Sequence, residues 1–334
     1  MSEILTREIP WQKLAAAIEG KIETDELHRT LYSTDASVYR TRPIAVIYPR
    51  IKSDIATIVR FASQYNLPIT PRAGGTSLAG QAVGEGMVVD VSRFLTNILE
   101  INVEEKWVRV EPGVIRDELN AVLHPLGYWF GPNTSTANRC TLGGMLGNNS
   151  CGTTSISVGS TRDHTLEVHC VLADGSEAIF KEIDWQVPLR NEHASDLNVA
   201  TFLSKQQNRE GDIYSHIFSR LEDTDFRNEL AETFPRPDIE RRNTGYALDL
   251  LARQFPFDPA GPPFNLATLL AGSEGTLAFT TEIKLRILPL PPAGRAVAAL
   301  HFPTVSSALQ AVESAMLHDP FLCELMDRLI LDAA

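Results

Sequence analysis

The 334-residue sequence predicts an α+β fold, and three observations carry the prediction. Residues 45–70 hold a β-α-β pattern, two short apolar runs on either side of an amphipathic helix, which is the signature of parallel strands. Past Asn102 the chain changes character, and apolar residues alternate with polar ones as in half-buried strands. Two segments dense in Gly, Ser, Thr and Asn, residues 71–81 and 131–159, interrupt these patterns.

Taken in order, the chain opens with a helical segment over residues 1–39, in which Trp11, Leu14, Ala15 and Ile18 share one helical face within 8–32. Ala45 to Tyr48 is a strand stopped by Pro49. Ser53 and Asp54 precede Ile55, Ile58, Val59 and Ala62, a helix with a capping residue at its start. Leu67 to Thr70 and Met87 to Val91 are strands on either side of the first small-residue segment. Trp107 to Glu111 alternates, Pro112-Gly113 turns the chain, and Val114 to Leu126 forms a helix. Glu167 to Leu172 followed by Asp174-Gly175 reads as a strand and hairpin turn. Residues 188–262 are polar with helical patches such as Ile213 to Leu221, and look like an insertion. Leu266 to Leu270 and Thr276 to Leu288 return to strand composition before Pro289 to Pro292 ends the unit.

Composition bounds the function. The 42 acidic and 30 basic residues give a net charge of −12, which argues against a general nucleic-acid surface because phosphate neutralisation needs clustered Lys and Arg. No stretch reaches the roughly 18 apolar residues of a spanning helix, and the acidic start is unlike a signal peptide, so a cytoplasmic protein is expected, with attachment to the inner membrane face as a variant. Cys140, Cys151, Cys170 and Cys323 lack metal-site spacing; buried free thiols and no metal are expected.

Segment 71–81 places Gly74-Gly75 and the hydroxyls of Thr76 and Ser77 directly after a strand. Such a turn aims successive backbone N–H groups into one concavity, and glycine removes the Cβ atoms that would hold a phosphate away. Arg72 can add a fixed positive charge. Neither a GxxxxGK[ST] loop nor a GxGxxG opening a helix is present, which excludes a P-loop and a Rossmann reading. A Gly-rich turn without a ligand is the bland alternative. The second segment weakens that alternative, because ordering so long a run costs about 1–2 kcal/mol per residue, which one extended anionic cofactor lying along both loops would offset.

In Pro71 to Leu78, Pro132 with Ser135-Thr136, Thr141 to Gly144, Ser150 to Gly152, Val158-Gly159 with Asp163, and Gly272 to Leu277, the chain resembles the FAD-binding (PCMH-type) family of vanillyl-alcohol oxidase, the bacterial enolpyruvyl reductase, and the D-lactate, glycolate and D-2-hydroxyglutarate dehydrogenases. Within it the chain looks most like the FAD portion of long bacterial D-2-hydroxyglutarate dehydrogenase-type flavoproteins. The resemblance implies a two-lobed FAD-binding unit, with a small parallel lobe over 40–100 and a larger, mainly antiparallel lobe over 101–292 that carries the insertion. Residues 293–334 would begin a truncated substrate (cap) domain, with Phe321 to Asp327 as an early strand or helix. It further implies noncovalent FAD, since Thr76 stands where covalent members commonly carry His. An iron–sulfur cluster would belong to a part beyond this sequence.

Carried over residue by residue, the resemblance places Arg72, Ala73, Gly74, Gly75, Thr76, Ser77 and Leu78 in the first cofactor loop, its backbone around the pyrophosphate. Pro132, Ser135, Thr136, Thr141, Leu142, Gly143 and Gly144 would line the isoalloxazine and ribityl region. Ser150, Gly152 and Gly159 would continue along the cofactor, Asp163 and Val168 would lie near adenine, and Glu274-Gly275 would close the site. It also implies hydride transfer from a D-2-hydroxy acid of the 2-hydroxyglutarate, lactate or glycolate type to flavin N5, with a quinone, an electron-transfer protein or an iron–sulfur domain as electron acceptor.

For the substrate, Arg241-Arg242-Asn243-Thr244-Gly245-Tyr246 is the candidate segment: adjacent cations suit a carboxylate, though such pairs are most often solvated surface. Arg242, Asn243 and Tyr246 are the candidate substrate residues, packing being the alternative for the last two. No catalytic base is identified. His124 and His169 read as structural and His164 as an adenine-end residue, and no HxGDGN-like motif occurs. A flavin-binding module without catalysis of its own, an NADPH-dependent flavin reductase, and assembly as a homo-oligomer remain alternatives.

Overall fold

The computed structural model describes residues 9–183, 208–239, 241–243 and 245–333. Two sheets organise it. The first has four strands, β1 (Lys21–Glu23), β2 (Ala45–Tyr48), β3 (Ile69–Arg72) and β4 (Met87–Asp90), in the order β1-β2-β4-β3. β2, β4 and β3 run parallel, and β1 pairs antiparallel to β2. The β-α-β unit is present as expected, with β4 inserted between the strands it joins. β2 and β4 are buried along their whole length, which suits central parallel strands covered on both faces.

The second sheet is antiparallel throughout: β5 (Ile98–Asn102), β6 (Trp107–Val110), β8 (Thr165–Val171), β9 (Glu177–Lys181) and β10 (Phe279–Arg286), in the order β5-β6-β10-β8-β9. A small two-stranded antiparallel pair joins β7 (Tyr128–Trp129) to β11 (Leu288–Pro289). The predicted Asp174-Gly175 turn links β8 to β9, with Gly175 at φ +83°.

Each sheet has its own core. Helix Lys52–Tyr65 packs Ile55, Ile58, Val59 and Ala62 onto the parallel sheet, as their spacing predicts. Asp54 sits in the third helical position, not at the cap, and its carboxylate reaches back to the N–H groups of Arg50 (2.8 Å) and Glu19 (2.9 Å). Val171 and Phe279 of the antiparallel sheet enter this same core, so the two sheets share apolar contact. The larger core joins the antiparallel sheet to Leu119 and Leu123 of helix Arg116–Leu123 and to Tyr214, Phe218, Leu221 and Leu230 of helices Arg209–Glu222 and Thr224–Thr233. The polar region 188–262 therefore contributes core residues; its portion 188–207 lies outside the described residues.

Three local expectations are corrected. The N-terminal segment is not one helix: helices Trp11–Ala15 and Glu26–Leu31 flank β1, because at Gly20 the chain runs so close to the sheet that an added Cβ would lie 2.2 Å from the Tyr48 carbonyl oxygen. Leu266 to Leu270 is not a strand. Asn265 accepts from the Ala267 N–H (2.9 Å) and starts the short helix Ala267–Leu270, whose apolar side chains face the same core a strand would have met. Phe321 to Asp327 is neither strand nor helix, lying between helices Val305–Met316 and Arg328–Ala333.

Candidate functional site

A cleft of about 1230 Å³ opens where loops of both sheets converge. It exceeds the roughly 300–1,000 Å³ of ordinary small-ligand sites and suits a long ligand. Its walls are the loop after β3 (Pro71 to Ala82), the segment Asn133 to Thr153, the loop Ser273–Gly275 before β10, and the stretch Thr34 to Ala36. Every cofactor candidate named from the sequence lines it except Pro132, Leu142, Gly159, Asp163 and Val168.

The first loop is held from outside. Arg72 donates from Nη1 to the carbonyls of Thr34 (2.9 Å) and Ala82 (3.1 Å), and its guanidinium lies 5.0 Å from the centre of the Tyr32 ring. The side chain thus ties the loop's two ends to the N-terminal segment, while its charge stays fixed at the cleft wall. Gly75 has φ +62°, a left-handed conformation that L side chains rarely adopt, and an added Cβ would meet Arg72 Nη2 at 2.7 Å. At Gly74 a Cβ would come within 2.7 Å of the Arg139 carbonyl oxygen, so the two loops touch backbone to backbone there.

The second loop feeds helix Leu142–Asn148. Gly143 and Gly144 allow that helix to lie against Pro112 (2.6 Å from an added Cβ) and Ala73 (3.2 Å), and Gly152 passes Asn133 so closely that no Cβ fits. Thr141 is 2% exposed, and its Oγ1 has no hydrogen-bond partner among the described residues, although the residue lines the cleft. Leaving a buried hydroxyl unpaired costs about 1–3 kcal/mol, and a polar ligand in the cleft would supply the partner. Across the mouth, Glu274 (φ +53°) accepts from Gln81 Nε2 at 3.2 Å, and Gln81 in turn bonds Ser77.

The five residues outside the cleft have structural positions. Leu142 and Val168 are fully buried in the larger core, and Pro132 is buried with its carbonyl accepting from Arg116 Nε (3.1 Å). Asp163 accepts from Ser160 N (2.7 Å) and Oγ (2.8 Å), capping the turn that begins with Gly159 at φ +75°. Of the candidate substrate residues, none of Arg242, Asn243 and Tyr246 lines the cleft. Arg242 pairs with buried Asp249 at 2.5 Å and donates to the Pro235 carbonyl (3.0 Å). Asn243 bridges Asn149 and Cys151, and the Tyr246 hydroxyl meets Thr276 Oγ1 at 2.6 Å.

The histidines divide as follows. His124 is exposed. His169 sits in a charged network with Glu167 (2.7 Å), Arg109 (2.9 Å) and Glu282 (3.5 Å), which Lys52 joins to the parallel lobe through Glu282 (2.9 Å). His164 does not face the cleft. It is buried against Phe130 between the carbonyls of Val158 (2.7 Å) and Arg286 (3.1 Å), and burial pushes its pKa below the ordinary value despite both acceptors.

Cleft residues that the sequence patterns do not single out include Asp35 and Arg139. Burial opposes ionisation of Asp35, but hydrogen bonds from Ser37 and Ala82 and the charge of Arg72 outweigh it and hold the carboxyl below its usual range. Its one local signal is the Asp-x-Ser spacing, in which Asp35 accepts from the Ser37 N–H at 2.8 Å. Among the described residues lining the cleft there is no histidine. Among the described residues, no helix is long and apolar enough to cross a membrane.

With this geometry in view, residues 43–179 match the FAD binding domain family. D-2-hydroxyglutarate dehydrogenase of Escherichia coli strain K12 is 40% identical over 308 residues, 91% of this chain and 27% of that protein, and its namesake from Pseudomonas putida is 37% identical over 95% of this chain and 29% of its own length. The glycolate oxidase subunit GlcD of Bacillus subtilis is 32% identical over 52% of this chain and 37% of its own. An alkyldihydroxyacetonephosphate synthase structure superposes with a TM-score of 0.61 at 18% identity, covering 95% of this chain and 47% of that one, a likeness of fold. The chain spans roughly a quarter of the length of the curated dehydrogenases it matches.

Proposed function

From the match of residues 43–179 to the FAD binding domain family, we propose that the cleft holds noncovalent FAD and that the chain is the FAD-bearing part of a flavoprotein that oxidises a D-2-hydroxy acid. The observation that carries the reading is the pair of loops whose glycines leave no room for a Cβ at their contact, beside the unpaired buried hydroxyl of Thr141. The backbone of Arg72 to Ser77 would hold the pyrophosphate, with the Arg72 charge fixed behind it. Ser135, Thr136, Thr141, Gly143 and Gly144 would lie along the rest of the cofactor with Ser150 and Gly152, and Glu274 with Gln81 would cross the mouth.

Bound FAD supplies the hydride acceptor. This chain's residues bind and orient it, keep water from its buried side, and fix a positive charge near its anionic part. The base for the hydroxyl proton is assigned to the substrate (cap) domain, of which residues 293–334 are the proposed beginning and the rest lies in the portion of the relatives that this chain does not span. The electron acceptor is proposed to be a quinone, an electron-transfer protein or an iron–sulfur domain. Reconstitution with FAD, followed by anaerobic mixing with D-2-hydroxyglutarate, D-lactate and glycolate, tests this at the visible flavin band. A yellow protein whose flavin band shifts when one of the acids binds, without bleaching in the absence of the base, is the expected result. A colourless protein after reconstitution overturns the cofactor assignment, and a yellow protein whose band answers none of the acids overturns the substrate class for this chain.

A further inference from the structure

Three cations line the cleft among its described residues, and their surroundings differ. Arg72 spends its guanidinium on the Thr34 and Ala82 carbonyls. Arg139 donates to the neighbouring Asn138 side chain (2.9 Å), and its own carbonyl lies at the Gly74 contact between the two loops. Arg241 is exposed in the cleft wall, with no hydrogen bond or ion pair to any described residue. A cation can be left unpartnered at a surface without cost, yet the two residues that follow this one are tied down. Arg242 is locked onto buried Asp249 (2.5 Å) and the Pro235 carbonyl, and Asn243 bridges Asn149 and Cys151, the latter also in the cleft wall. A rigid anchor on one residue and an idle guanidinium on the next is the arrangement of a recognition group held ready for a ligand.

We propose that Arg241, and not Arg242, receives the carboxylate of the anionic substrate. The inference rests on the cleft being a hydroxy-acid site. The cleft also presents the carboxyl groups of Asp35, Glu274 and Glu324, so an incoming carboxylate needs a local cation to enter at all. Arg241 offers a planar fork of N–H donors that pairs bidentately with a carboxylate, which a lysine ammonium does not reproduce.

The test uses FAD-loaded protein and three chains: wild type, Arg241→Met and Arg241→Lys. FAD affinity is measured by flavin fluorescence, and acid affinity by the visible-band change on titration with D-2-hydroxyglutarate and with glutarate, which keeps both carboxylates and has no hydroxyl to oxidise. We expect Arg241→Met to bind FAD within about twofold of wild type and both acids at least tenfold more weakly, with Arg241→Lys in between; one lost charge-assisted hydrogen bond is worth about that factor. A Met variant that binds the acids like wild type overturns the inference while leaving the proposed function standing. A Met variant that loses FAD tenfold shows that the cation serves a cofactor phosphate, and overturns it as well. A wild-type flavin band that answers neither acid overturns the proposed function, and the inference falls with it.

Discussion

Adjacent arginines with opposite duties make a sharp prediction about stability. Arg242 is nine-tenths buried, and its partner Asp249 is 1% exposed, 2.5 Å away. The contact is an ion pair without an aligned hydrogen bond, since neither Asp249 oxygen has a hydrogen-bond partner among the described residues. Coulomb attraction therefore carries the interaction, and loss of the cation leaves a carboxylate buried beside two weaker cationic neighbours, Arg253 at 3.6 Å and Arg162. Removing one member of a buried pair costs about 3–5 kcal/mol; with Arg253 still in place, Arg242→Met should cost about 3 kcal/mol. At about 2 °C per kcal/mol for a large domain, the melting temperature should fall by about 6 °C.

Thermal unfolding followed by circular dichroism measures this on the FAD-free protein, with two controls. Arg241→Met removes an exposed cation that has no described partner, and should stay within about 0.5 kcal/mol of wild type, the range of ordinary surface substitutions. The double variant Arg242→Met, Asp249→Leu removes both charges and should recover most of the loss, because replacing a buried ion pair by apolar residues is often neutral. Equal destabilisation by Arg241→Met and Arg242→Met, or no shift with Arg242→Met, would refute the division of roles between the two residues.

Further outcomes follow from the same contacts. Gly144→Val puts a branched side chain where even a Cβ would lie 3.2 Å from Ala73, between the two loops, and should weaken FAD binding about tenfold or more, read by fluorescence titration. Thiol labelling mapped by peptide mass should find Cys151, in the cleft wall, modified early and protected by FAD; Cys170, whose burial pushes its pKa up to about 12, should stay unmodified at pH 8 while the protein is folded. Burial lowers the pKa of His164 below its ordinary 6.5, so the unfolded chain binds a proton there that the fold refuses, and the stability held above pH 6.5 is lost as pH falls below it. Denaturant midpoints measured from pH 7.5 to 5.5 should therefore fall more steeply for wild type than for His164→Gln, and parallel slopes would count against the buried neutral ring.

The cofactor loops were legible in the sequence because their glycines answer to local necessity. Gly74, Gly75, Gly143 and Gly152 each stand where an added Cβ would strike a neighbour within 3 Å, so the residue type itself announces a close approach. The parallel strands were legible for a similar reason: Ala45 to Ile47 and Met87 to Val89 are unbroken apolar runs, which only a strand covered on both faces tolerates. Leu266 to Leu270 was not, because an apolar run of five has no period long enough to separate strand from helix, and the deciding group is one side-chain amide, that of Asn265. β1 escaped notice because its three residues gain their place only through pairing with β2.

Val168 and Arg242 show two different limits. Strand parity alone could have placed Val168: Glu167 and His169 point to the charged network on one face of β8, so Val168 and Cys170 must point to the other, into the core. No such rule separates Arg241 from Arg242, since both are cations in one polar segment and share the same local pattern. The choice is made by Asp249, whose carboxylate is buried in helix Leu248–Leu251 and can keep its charge only if one arginine turns inward to meet it. The partner's burial thus selects which cation is structural, and by exclusion leaves Arg241 in the cleft wall, so the functional assignment follows from a desolvation cost paid seven residues further along the chain.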